Sequence, residues 1–150
     1  MTDIVVSSRA TYRKSVAEFL STRMSSASAV VDHVPADLQG QTPIVCITGA
    51  PTNRMQGAAD GSYENKFGLS ARLITLYSLE GENAWTPAMA EDMIDQLEYE
   101  LSLAIRQARD VQVLWRAISR NGTSVFEGPF KINGIAYLSE IVPLLVEVDD

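Results

Sequence analysis

Hydrophobic and polar positions follow a helical period in two stretches of the chain and a strand-like pattern in most of the rest. The first helical stretch covers about residues 8–24. Tyr12, Val16, Ala17, Phe19, Leu20 and Met24 share one face, with Lys14, Ser15 and Glu18 opposite. Ser7 or Ser8 supplies a side-chain acceptor for its first free amides, and the run Ser25-Ser26-Ala27-Ser28 ends it. The second stretch begins at Thr86-Pro87, a capping hydroxyl followed by a proline whose missing N–H costs nothing at the first helical position. Met89, Met93, Ile94, Leu97, Leu101, Ala104, Ile105 and Ala108 form its apolar stripe. Glu91, Asp92, Asp95 and Glu98 occupy its first half and Arg106 and Arg109 its last turn, an order that complements the helix macrodipole.

Ala29-Val30-Val31 is short enough for either a strand or a turn. Pro43-Ile44-Val45-Cys46-Ile47-Thr48 is β-branched and stops at Gly49, which predicts a strand with proline at its first position. Further on, Leu69, Ala71, Leu73, Thr75 and Tyr77 face one way and Ser70, Arg72, Ile74, Leu76 and Ser78 the other. That strand is apolar on both faces at its centre, so it is expected inside the sheet or under a cover. Val111, Val113, Trp115 and Ala117 alternate with Gln112, Leu114, Arg116 and Ile118. A last strand over about residues 135–148 sets Ala136, Leu138, Val142, Leu144, Val146 and Val148 on one face, interrupted by Glu140; Pro143 predicts that it lies at an edge or bends. Asn121-Gly122 and Asn133-Gly134 both predict hairpin turns, because such pairs accept positive φ.

The expected fold is therefore α+β in a single domain over 1–150: a mainly antiparallel sheet of about 4–5 strands, two amphipathic helices packed on one face, order α-β-β-α-β-β. This layering leaves a second sheet face bearing Ile74, Leu76, Leu114, Ile118, Ile141 and Leu145. That face is too apolar to stay wet and predicts contact with another subunit. Arg72, Ile74, Leu76 and Arg116 are the candidate subunit contacts, and Ile74→Asp is expected to leave folded monomers. Between about 49 and 68 the period disappears, and Gly49, Gly57, Gly61 and Gly68 stand among Arg54, Met55, Tyr63, Lys66 and Phe67. A connection of that length is functional or disordered, and its large side chains favour a partner-binding arm.

Composition narrows the chemistry. A 46% apolar fraction over 150 residues is globular, and no segment approaches the roughly 20 uncharged residues of a bilayer crossing. Met1-Thr2-Asp3-Ile4 has neither basic leader nor cleavage site, so no signal peptide is expected. One cysteine, Cys46, excludes an internal disulfide framework, and one histidine, His33, excludes sites built from two imidazoles of one chain. No Gly-x-Ser-x-Gly elbow exists, and the loop after Gly49 lacks a Gly-Lys-Ser/Thr ending. The paired carboxylates Glu80/Glu82, Glu98/Glu100 and Asp149/Asp150 have nothing in the sequence to desolvate them. The expectation is no catalytic residue, no metal and no cofactor. Residues 1–75 hold 7 basic and 6 acidic side chains, residues 76–150 hold 5 and 13. An acidic half repels phosphates, which argues against a broad DNA-gripping surface.

The order of these elements resembles the tail terminator (tail completion, head–tail joining) family of tailed bacteriophages. The resemblance is carried by the first helix with Arg9 and Arg13, the strand over 43–48, the long loop and the strand Gly68-Leu69-Ser70-Ala71-Arg72-Leu73-Ile74-Thr75-Leu76-Tyr77. The acidic-faced helix from Thr86-Pro87 and the closing Ile135-Ala136-Tyr137-Leu138-Ser139-Glu140-Ile141-Val142-Pro143-Leu144 complete it. It implies a structural virion protein of the tail or neck, made in the host cytoplasm. Such a protein forms a homohexameric ring that ends tail-tube polymerisation and joins tail to neck. The implied partners are further copies of the chain, the tube protein and a neck stopper or connector. DNA would pass through the lumen without specific binding, and no membrane is involved. Arg54, Met55, Tyr63, Lys66 and Phe67 are the candidates for the tube or neck contact. A different neck or baseplate protein, such as a stopper or adaptor, and a small cellular α+β ligand-binding domain are the alternatives.

Overall fold

In the computed structural model, residues 9–38, 41–50, 66–81, 84–111 and 115–148 are described. The order is α1 (Arg9–Ser21), β1 (Ala29–Val31), β2 (Ile44–Gly49), β3 (Lys66–Ser78), α2 (Pro87–Gln107) with a 3-10 turn (Ala108–Asp110), β4 (Ala117–Arg120), β5 (Val125–Ile132) and β6 (Ile135–Glu147). The expected α+β class holds, with two helices against a curled sheet. The finer layout is corrected. Among the described residues, Ala29–Val31 is a strand and the C-terminal third holds three, so their order is α-β-β-β-α-β-β-β rather than α-β-β-α-β-β. The sheet is mixed rather than mainly antiparallel, because β1 runs parallel to β2. Nor do the helices form a paired layer. α1 lies over β1 and β2, α2 lies over β3 and touches β6, and the two helices hardly meet.

Two long strands form the spine. β3 and β6 are antiparallel over nearly their whole length, from Lys66↔Glu147 to Ser78↔Ala136. On the other edge of β6 two short strands lie in tandem: β4 pairs with its end, β5 with its beginning. This arrangement answers the proline question. β6 is internal, not an edge, and Pro143 falls in the gap between the two short strands, where Asn121 N–H donates to the Pro143 carbonyl at 2.9 Å. A missing donor there disrupts little of the ladder. Asn133 (φ 50) and Gly134 (φ 81) make the expected β5–β6 turn. Asn121-Gly122 does not close a hairpin, since β4 and β5 each pair with β6.

Sheet parity divides the core. On the helix side, Val16 and Leu20 of α1 and Ile94, Leu97 and Leu101 of α2 pack on Val45, Leu69, Leu73, Val142 and Leu144. The α2 stripe is rotated slightly from its expected line: Ala90 is buried and Met89 is exposed. Thr86 caps as expected, its hydroxyl accepting from Met89 N–H at 3.2 Å. The alternation expected over 111–118 is not kept at Trp115 and Ile118; residues 112–114 lie outside the described residues. Trp115 and Ile118, of opposite parity, are both buried in this same cluster, because regular strand starts only at Ala117. Ile118 is therefore not on the far face.

On the far side a smaller cluster forms. Leu38, Ile44, Cys46, Ile74 and Tyr137 are buried there, with Leu76, Phe130, Ile132 and Ile135 against them. The chain thus covers one end of its own second sheet face, with Leu38 from the β1–β2 connection and the β5–β6 hairpin as cover.

Candidate functional site

The far face stays open beyond that cluster. Register sets Arg72 of β3, Ile141 of β6 and Val125 of β5 in one row, and Gly68, Leu145 and Ser119 in another. Ile141 and Leu145 are partly exposed and Val125 is 57% exposed. Leu145 stands between a glycine and a serine, so neither strand neighbour shields it. Polar groups frame these apolar ones: Arg72 Nη2 lies 3.5 Å from Glu127 Oε1, and Lys66 Nζ lies 3.4 Å from Glu147 Oε1. The outer strand β5 is an edge broken at Gly128-Pro129, where its register with β6 shifts, and Phe126 beside the break is 53% exposed. A bulge and a proline are common ways to stop such an edge from recruiting further strands.

The residues predicted from sequence distribute unevenly around this face. Arg72 is on it and engaged with Glu127. Leu76 is half-buried in the small cluster. Ile74 is 1% exposed, closed over by the chain itself, and so offers a second subunit no surface. Arg116 is exposed just before β4, its N–H donating to the Glu147 carbonyl at 2.8 Å. Of the tube or neck candidates, Lys66 pairs with Glu147 across the two long strands. Phe67 is not a loop side chain: it is 4% exposed and stacked on Tyr12 with ring centroids 5.3 Å apart. Arg54, Met55, Tyr63, Leu114 and the bulk of the 49–68 connection lie outside the described residues.

Two buried carboxylates escaped the sequence reading as polar sites. Glu100 on α2 is 8% exposed. It accepts from Ser26 N–H at 3.0 Å, from the Ser26 hydroxyl, and from the Gln96 amide at 2.8 Å. Burial pushes its pKa up, and these three donors outweigh burial and hold it below the usual range. The expectation that nothing desolvates the Glu98/Glu100 pair is thus corrected for Glu100, while Glu98 pairs with Arg120 at the surface. Helical spacing carried the signal, since Glu100 falls in the row Met93, Leu97, Ala104 that faces the core. Glu140, 5% exposed, takes a hydrogen bond from the Ser124 hydroxyl at 2.6 Å. Its parity with Leu138 and Val142 placed it inside. Both carboxylates are hydrogen-bonded structural groups.

Elsewhere, α1 and β1 enclose an open groove of about 550 Å³ lined by Lys14, Glu18, Ser21, Val30, Asp32 and His33. His33 Nδ1 lies 3.0 Å from Asp32 Oδ1, and that contact holds the Asp32 carboxyl below its ordinary value. The Ser21 hydroxyl donates to the Glu18 carbonyl rather than to the imidazole. Cys46 is fully buried, and burial pushes its thiol up to about 11, against a small opposing pull from Arg72. Among the described residues, no three His, Cys, Asp or Glu side chains converge as metal ligands. No helix among them is long and apolar enough to cross a membrane. The chain matches no family model and none of the curated proteins with which it was compared.

Proposed function

We propose that this chain is a structural subunit of a tailed-bacteriophage virion, a tail terminator. In this reading it forms a ring of six at the head-proximal end of the tail tube, stops tube growth and joins tail to neck. The observation that carries the reading is the half-closed far face of the sheet. The chain covers one end with Leu38, Phe130 and Ile132, and leaves Ile141, Leu145 and Val125 at the surface of the other. An apolar face rimmed by ion pairs suits contact with a different patch on the next copy, and such heterologous contacts close into rings when the rotation allows. Ile141, Leu145 and Val125 thereby replace Ile74 as the apolar part of the joint, with Arg72 and Arg116 at its rim. The acidic excess of the second half keeps DNA passing through the ring from adhering.

Electron microscopy of the protein mixed with tail tubes tests this. A sixfold ring at the head-proximal end, lost in Leu145→Asp while circular dichroism stays unchanged, is the expected result. Tube ends without added density would refute it, and density elsewhere on the tail would favour a stopper, adaptor or baseplate role. The groove beside His33 favours a second reading, a small ligand-binding domain; a ligand bound there in a screen and displaced by His33→Ala would favour that instead.

A further inference from the structure

The outward side of α2 changes charge once along its length. Asp92 and Asp95 stand in its first half and Arg106 at its end, and Arg109 follows in the 3-10 turn; all four are exposed. None of the four has an ion pair or a side-chain hydrogen bond among the described residues. Between them Tyr99 is 60% exposed, more than any other large hydrophobic side chain in the described residues. At about 100° per residue, Asp92, Asp95, Tyr99 and Arg106 fall within a wedge of roughly 60°. The helix macrodipole accounts for the two arginines, but its influence fades within a turn and does not reach Asp95, the ninth residue from Pro87. Nor does it account for an exposed tyrosine. Asp92 and Asp95, three apart on one face, also repel each other.

These positions have a symmetry that single-helix arguments do not require. The midpoint of Asp95 and Arg106 lies between residues 100 and 101, and so does the midpoint of Asp92 and Arg109. With a rise of about 1.5 Å per residue, the inner pair is separated by about 16 Å and the outer pair by about 25 Å along the axis. We infer that α2 docks antiparallel on α2 of a second copy, about a two-fold axis through that midpoint. One placement then sets each Asp95 against Arg106 of the other copy and each Asp92 against Arg109. Tyr99 meets Ser102 of the other copy, half-buried and close to the axis. A parallel arrangement would set like charges together. The contact is isologous and closes on two copies. It uses a different surface from the open sheet face, so it does not rest on the ring reading.

Sedimentation velocity on the full chain over a concentration series, at 0.15 M salt, tests the pairing. Asp95→Arg lowers the net negative charge, which by itself would favour association. The paired-helix geometry demands the opposite, a dimer dissociation constant raised by about tenfold or more. The double variant Asp95→Arg/Arg106→Asp restores both 95–106 pairs with reversed sign, leaves the Asp92–Arg109 pairs as they are, and is expected within about threefold of the parent. All substituted positions are exposed, and circular dichroism is the check that each variant folds. A parent that stays monomeric at about 1 mM would overturn the inference, as would a double variant no better than Asp95→Arg.

Discussion

Glu100→Gln is the sharpest probe of how the two helices are tied together. The substitution keeps the shape of the side chain and removes its charge. In the parent, one carboxylate on α2 receives the Ser26 N–H, the Ser26 hydroxyl and the Gln96 amide, fastening the turn after α1 to the second helix. Hydrogen bonds to a charged acceptor contribute about 1.5–3 kcal/mol each, and a buried donor left without one costs about 1–3 kcal/mol. Gln96 is exposed and recovers water, whereas the Ser26 N–H is fixed by the turn. In the variant, one oxygen becomes an NH2 group facing donors. The expected loss at pH 7 is therefore about 2 kcal/mol, a drop in melting temperature of roughly 4–8 °C for a chain of this length. The pH dependence identifies the cause. Because the donors hold the folded carboxyl below its ordinary value, their contribution is fully present above a pH of about 4.3 and fades as pH falls through the folded value. Urea titrations followed by circular dichroism should give a constant gap between parent and variant from pH 5 to 8, closing in acid as the parent itself becomes neutral. A gap below about 0.5 kcal/mol at pH 7, or one that persists unchanged at pH 3, would refute the argument.

Two further outcomes follow from burial on the far face. Ile74→Asp, which the sequence alone would offer as a route to folded monomers, should instead unfold the chain, because Ile74 is 1% exposed among Ile44, Cys46 and Tyr137. An unpaired carboxylate there costs several kcal/mol, on the order of 4, and a cooperative unfolding transition unchanged from the parent would contradict this. Cys46, with its thiol near 11 and fully buried, should react with a disulfide reagent at pH 8 at least about a hundredfold more slowly in the folded protein than in denaturant. Stoichiometric labelling within seconds of a folded sample would show the thiol is not enclosed.

Local patterns settled the elements whose causes are local. The second helix was legible from Thr86-Pro87 and its stripe, because a cap and a 3.6-residue period need no distant partner. Asn133-Gly134 was legible because its positive φ values belong to the turn itself. The two faces of the long strand ending at Ser78 could be read from alternation alone, down to the inward parity of Glu140 on its neighbour. Tertiary structure decided what depends on which strand lies beside which. Pro143 is harmless in an internal strand only because the neighbouring edge changes partner at that point. Asn121-Gly122 carries a hairpin signature yet joins strands that both pair elsewhere. Whether Ile74 is a surface or a core residue turned on Leu38 and the side chains of the last hairpin packing into its cluster, and whether Glu100 could stay charged inside turned on Ser26, 74 residues away in sequence. The sequence determines periods and turns through bonds and backbone angles within a few residues; long-range packing determines which faces remain free for a partner.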